Sequence, residues 1–126
     1  MISLRPALFA LGLLCGQVAA AQDAVPQMEL VMIEQPGCQW CARWNAEIAP
    51  IYPKTPEAAR APLRRIDLHA PVPDDLTLAR PAVFTPTFVL VVEGTEVDRM
   101  EGYPGPDFFW PLLDEMLAKV ESVGDN

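Results

Sequence analysis

Hydrophobic and polar positions change period several times along this chain, and each change marks an element. Met28 to Ile33 (Met-Glu-Leu-Val-Met-Ile) is a mostly apolar run, the pattern of a strand buried on both faces. Gln35-Pro36-Gly37 breaks it. From Gln39 to Ile51 the apolar positions Trp40, Cys41, Trp44, Ile48 and Ile51 recur at helical spacing, and Pro50 and Pro53 end or kink that helix. Lys54 to Pro62 is a proline-bearing connection with room for one helical turn at Glu57-Ala58-Ala59-Arg60. Leu63 to Leu68 alternates as a second strand. After a loop, Asp74-Asp75-Leu76 is placed to start a short helix with aspartate as its N-cap.

Phe84 to Val92 gives a third strand, entered through Thr85-Pro86. Glu93-Gly94-Thr95-Glu96 turns the chain, and Val97 to Met100 returns as a fourth strand. Gly102 to Pro106 is turn chemistry. Asp107 to Val120 then carries two interleaved apolar rows: Phe108, Leu112, Met116 and Phe109, Leu113, Leu117, Val120. They predict an amphipathic helix with a wide buried face, in which Pro111 is tolerable because it falls near the first turn. The order predicts an α/β fold: a right-handed parallel β-α-β unit, extended by a hairpin into a mixed four-stranded sheet flanked by helices. No repeat, low-complexity tract or inter-domain linker interrupts it.

The first residues follow another pattern. Arg5 gives a positive start, Ala7 to Leu14 a short apolar stretch, and Val18-Ala19-Ala20-Ala21 the small residues of a cleavage site. The uncharged run from Ala7 to Ala21 is shorter than the ~20 residues a membrane-spanning helix needs. Residues 1–21 are therefore predicted to be a removed export signal, and 22–126 one domain. Cys15 leaves with the signal, because Leu14 precedes it where a lipid-modified cysteine would follow a small residue. The chain of 126 residues carries 9 basic and 17 acidic side chains, a net charge of −8. Losing Arg5 makes it more negative still. That balance argues against nucleic acid or an anionic membrane surface as partner.

Two of the three cysteines remain, as Cys38-Gln39-Trp40-Cys41, one helical turn apart where a strand becomes a helix. Such a pair can cycle between dithiol and disulfide, and a helix N-terminus stabilises the attacking thiolate. Cys38 lies nearest that N-terminus, so it would attack and Cys41 would resolve the mixed disulfide. A structural disulfide is the bland alternative, but a bridge closing so small a loop removes little entropy from the unfolded chain. Zinc needs about four ligands, and His69 is the one histidine available to join the pair. Covalent haem needs histidine directly after the second cysteine, where Ala42 stands. No metal and no cofactor beyond the Cys38–Cys41 disulfide is expected. Glu34 is a candidate proton acceptor, set against a solvent-facing strand end. Trp40 either lines a substrate surface or caps the core, and Trp44 reads as core. Arg43 either favours the thiolate or is simply solvated, and His69 reads as surface.

Cys38-Gln39-Trp40-Cys41 after a strand, Thr85-Pro86 opening a later strand, and Gly102 before a final helix together resemble the thioredoxin superfamily. The resemblance covers nearly all of the domain and implies a minimal thioredoxin-like fold, with Pro86 a cis-proline beside the cysteines. It further implies that Trp40, Thr85 and Pro86 bind substrate, with backbone at Pro86 pairing to an extended segment. The sequence also departs from the family. The domain is predicted to start at the central strand, Gly37 precedes Cys38 where thioredoxin has Trp, and thioredoxin's buried acid falls on Met32.

The short exported form, with Pro36-Gly37-Cys38, is similar to the small periplasmic thioredoxins that accompany bacterial sulfur-oxidation systems. The resulting expectation is a monomeric periplasmic thiol–disulfide oxidoreductase acting as a reductant. Its client would be a cysteine-containing periplasmic protein, a sulfur-oxidation carrier by this resemblance. A membrane thiol-electron transporter would recharge it. Two other readings stay open: a thiol oxidase or isomerase of secreted proteins, and a redox-switched binding module without turnover.

Overall fold

The computed structural model describes residues 25–124; the predicted export signal, with Cys15, lies outside them. The chain runs β1 (Met28–Glu34), α1 (Gln39–Glu47), a 3₁₀ turn (Tyr52–Lys54), α2 (Pro56–Arg60), β2 (Leu63–Asp67), β3 (Thr87–Val92), β4 (Thr95–Glu101) and α3 (Pro106–Gly124). The sheet order is β2-β1-β3-β4, with β1 and β2 parallel and β3 antiparallel to both of its neighbours. It is the mixed four-stranded sheet, flanked by helices, that the hydrophobic pattern predicts. Among the described residues no helix is long and apolar enough to cross a membrane.

Alternation along the central strands separates two apolar layers. Leu30 and Met32 of β1 and Phe88 and Leu90 of β3 face the helices, where Trp44 of α1 and Ile48 just after it meet Phe109 and Leu113 of α3. The Trp44 ring centroid lies 5.3 Å from that of Phe88, which in turn lies 5.1 Å from Phe109 in an edge-on contact. Val31, Ile33, Val89 and Val91 face the other way, onto Leu76, with Leu68, Leu78 and Ala82 packed around them. That second face is covered by the extended 68–84 segment.

The short helix expected at Asp74 does not form. Asp74 and Asp75 make a turn, and Thr77 bridges to the hairpin: its N–H donates to the Gly94 carbonyl (2.8 Å) and its carbonyl accepts from Glu96 (2.9 Å). Backbone groups that a helix would use internally are spent on the sheet's neighbour. The hairpin itself turns on two residues, Glu93 (φ 49) and Gly94 (φ 78), both left-handed as a tight hairpin of this kind requires. A Cβ at position 94 would overlap the Asp75 carbonyl, so glycine is needed there twice over.

A nearly buried ion pair fixes the segment leading to Pro86. Arg99 Nε donates to Glu96 (2.5 Å), with their side chains 6% and 5% exposed. Arg99 Nη2 also holds the Arg80 carbonyl (2.8 Å), while Glu96 accepts from the Ala79 N–H (2.7 Å). Arg99 Nη1 is buried without a hydrogen-bond partner among the described residues, 3.7 Å from Glu101, so the desolvation of the pair is only partly compensated.

In α3 the Phe109, Leu113, Met116 and Leu117 side chains are buried, but Phe108 is 64% and Leu112 39% exposed. The wide buried face predicted for this helix is therefore narrower over its first turns. Adjacent residues differ by about 100° around a helix, and α3 has neighbours over little more than the Phe109 row. Phe109→Ala should cost roughly 3–5 kcal/mol of unfolding free energy. Phe108→Ala, one residue away, should stay within about 0.5 kcal/mol. Urea titration of the two variants checks the contrast.

Candidate active site

After β1 the chain turns at Gly37 (φ 76) and reaches Cys38, the N-cap residue of α1. Its backbone is extended (φ −78, ψ 106), and its Sγ accepts the N–H of Cys41 at 3.1 Å. This is the position at which Ser or Asp usually caps a helix; here sulfur takes the place of oxygen. Cys38 and Cys41 are joined as a disulfide, with Cα atoms 5.2 Å apart. Cys41 is 3% exposed, whereas Cys38 is only partly buried. Cys38 is the more accessible cysteine of the pair and Cys41 the shielded one.

Glu34, Gly37, Cys38, Cys41, Asn45 and Asp67 line an open depression of about 380 Å³. It lies at the carboxyl ends of the parallel pair β1 and β2, where Glu34 stands opposite Asp67. Arg65 spans one side, its Nη1 donating to Glu34 (2.7 Å) and its Nη2 to the Asn45 side-chain oxygen (2.7 Å). The guanidinium sits 5.4 Å from the Trp44 ring centroid. Met32 lies in the same apolar cluster as Cys41 and is fully buried. A thioether stands there, and the carboxylates lie two and more residues further along their strands.

The Thr85–Pro86 peptide bond is cis, and Pro86 is buried. Its carbonyl accepts the Gly102 N–H (2.7 Å). Among the described residues the Thr85 backbone has no hydrogen-bond partner, while its hydroxyl accepts from Gln35 Nε2 (2.8 Å). The Gln35 oxygen faces His69 Nε2 at 2.9 Å, and the His69 backbone N–H donates to Asp67 (2.7 Å). Thus the residue before Pro86 is tied to the turn that presents Cys38.

Trp40 is 46% exposed, which decides against the core-cap reading, and Trp44 is fully buried as its place on the helix predicts. Arg43 lies 5.8 Å over the Trp40 ring and pairs with Glu47 (2.9 Å). Glu47 also accepts the Tyr103 hydroxyl (2.5 Å). That hydroxyl, first of all, and then Arg43 hold the Glu47 carboxyl below its ordinary range. Burial, reinforced by Glu47, pushes the Tyr103 hydroxyl up. The chain Trp40–Arg43–Glu47–Tyr103 therefore joins the outer face of α1 to the turn at Gly102.

Cys38, Cys41 and Glu34 line one depression, Trp40 lies one residue before Cys41, and Gln35 links Thr85 to the same turn. Sequence reasoning missed Arg65, Asp67, Asn45, Gln35 and Tyr103; His69 is exposed, as it read, and adds a contact to Gln35. Strand register and loop closure bring them in, and neither leaves a local motif. Among the described residues no group of three or more metal-ligating side chains is present.

A disulfide with one presented and one shielded sulfur, capping a helix at the end of a central strand, is the working site of a thiol–disulfide oxidoreductase. No protein-family model and no curated protein sequence matches the chain. Among solved structures it is similar to the periplasmic thioredoxin SoxS from Paracoccus pantotrophus in its reduced form. The identity is 54% and the TM-score 0.73, covering 74% of this chain and 98% of that one. The chain belongs to the thioredoxin superfamily. A thioredoxin from Malassezia sympodialis (Mala s 13) matches at 16% identity and a TM-score of 0.49, over 71% of this chain and 75% of that one.

In the reduced protein, Cys38 should alkylate with iodoacetamide at neutral pH at least about tenfold faster than Cys41. Mass spectrometry of the partly labelled protein reads that ratio. A second expectation follows from Glu47. A carboxyl whose folded pKa lies below its unfolded value stabilises the fold above the unfolded value, and that stability is lost as pH falls through the folded one. Wild type should therefore be more stable than Glu47→Gln at pH 7, with the gap closing below the ordinary value of 4.5. Urea midpoints across that range check it.

Proposed function

We propose that this protein is an exported, periplasmic reductant of disulfides or oxidised cysteines on a partner protein. The observation that carries the reading is the unequal exposure of the two sulfurs: Cys38 is presented and Cys41 is shielded behind it. Its likeness to a periplasmic thioredoxin supports the location, as does the export-signal pattern of residues 1–21.

The Cys38 thiolate attacks one sulfur of the client disulfide, and the departing client sulfur takes up a proton. The Cys41 thiol then gives its proton to Glu34, which shares the depression with it, and attacks Cys38 Sγ. The second client thiol leaves, two electrons have passed to the client, and the Cys38–Cys41 bridge has formed. Trp40 and the backbone of Thr85, fixed in place by the cis bond to Pro86, hold the client segment, the free Thr85 N–H and carbonyl pairing with it as a short strand. The oxidised bridge is recharged by a membrane thiol-electron transporter. Following the resemblance to small thioredoxins of sulfur-oxidation systems, the client is a sulfur-carrier protein whose cysteine has become oxidised. The protein works as a monomer.

Equilibration with glutathione redox buffers tests the direction. A potential near that of thioredoxin, about −270 mV, is expected; one near the strong oxidants, about −120 mV, would assign a thiol oxidase. Glu34→Gln should slow resolution of the mixed disulfide at neutral pH by roughly tenfold or more, leaving the first attack unchanged. Rapid-mixing kinetics separate the two steps.

A further inference from the structure

Three large apolar side chains, Trp40, Leu112 and Phe108, stand in solvent at 46%, 39% and 64% exposure. Trp40 and Leu112 line the same open depression of about 400 Å³, with Gly102, Tyr103 and Pro104 between them. Phe108 lies one turn before Leu112 on α3, at the i, i+4 spacing that puts both on one side of the helix. Scattered exposed apolar residues are ordinary surface; a contiguous strip that begins two residues from a reactive sulfur is not. Nor does the fold need it, because α3 is anchored through the Phe109 row.

The rim of this strip is acidic. Glu101 lines the depression, Asp107 immediately precedes Phe108, and Glu115 follows Leu112 within a turn. Glu101 is paired with Arg80 and Glu115 with Lys119, as Arg43 is with Glu47, so these edge charges largely cancel. Asp107 takes part in no ion pair among the described residues. With Asp107 left uncompensated beside Phe108 and the chain at a net charge of −8, a cationic partner is the electrostatically matched one.

We infer that the strip from Trp40 through Leu112 to Phe108 docks the client protein, and that it selects a segment bearing apolar side chains flanked by Lys or Arg near the oxidised cysteine. The inference rests on the thiol–disulfide exchange reading and adds a recognition surface to it. Attack at Cys38 needs only a sulfur; the strip decides which protein brings it.

Two synthetic peptides test this, each with one cysteine held as a mixed disulfide with a chromogenic thiol. One places leucines between lysines beside the cysteine, the other serines between glutamates. Wild type should show a kcat/KM roughly tenfold higher for the leucine–lysine peptide, the effect of burying about one large apolar side chain. In the Phe108→Ser/Leu112→Ser double variant that preference should fall to within about twofold. Reduction of a small aromatic disulfide, which cannot span the strip, reports whether Cys38 chemistry is intact in each protein.

Equal rates for the two peptides in wild type, or a preference that survives in the double variant, overturn the docking surface and leave exchange chemistry standing. Failure of wild type on the small disulfide overturns the exchange reading itself. A wild-type dimer in sedimentation that the double variant abolishes assigns the strip to a second copy of the chain and likewise overturns the inference.

Discussion

The contact on which the rest of the structure depends is the N–H of Cys41 meeting the sulfur of Cys38, at 3.1 Å. It makes Cys38 the N-cap of α1 and so sets three things at once. It satisfies one of the backbone donors that a helix start leaves unpaired. It points the positive end of the helix at the sulfur that carries negative charge when the disulfide opens. It also holds Cys41 one turn deeper, shielded and in line behind its partner. The strand β1, the glycine turn at 37 and the aromatic cluster beneath α1 all serve to hold that one cap in place.

The position of the acidic side chains at this site follows from the same placement. A buried acid on β1 would lie within the apolar cluster under Cys41, but Met32 fills that space. Carboxylates appear instead at the ends of the parallel strands, where Glu34 and Asp67 line the open depression and Arg65 steadies Glu34.

Much of this was legible in the sequence, for reasons that differ by residue. The strand, break and helix around Cys38 show in local periodicity and in Pro36-Gly37, and the mixed sheet follows from element order and connection handedness. Thr85-Pro86 and Gly102 were singled out through the resemblance to the thioredoxin superfamily; taken alone they mark only element boundaries. Arg65 could not, since its partners Glu34 and Asn45 come from elements far away in sequence and meet it only through β1–β2 register. Tyr103 and Gln35 were hidden for the same reason.

The misread features share a cause. Asp74-Asp75 carries a good helix-start signal, yet Thr77 is claimed by the hairpin and the segment lies flat over the sheet. In α3, periodicity identified both apolar rows but could not say that Phe108 and Leu112 would find no cover while Met116 of the same row is buried. Local pattern reports what a segment can do alone; tertiary partners decide which option is taken.

The central claim is that Cys38 attacks a protein client and Cys41 resolves the adduct. The most direct test expresses the full chain carrying Cys41→Ala and identifies by mass spectrometry what becomes covalently attached. Stable mixed disulfides running through Cys38 to a cysteine of an exported protein are predicted. Finding no covalent adduct, with partner capture that is redox-dependent yet noncovalent, would contradict the account and make the disulfide a switch.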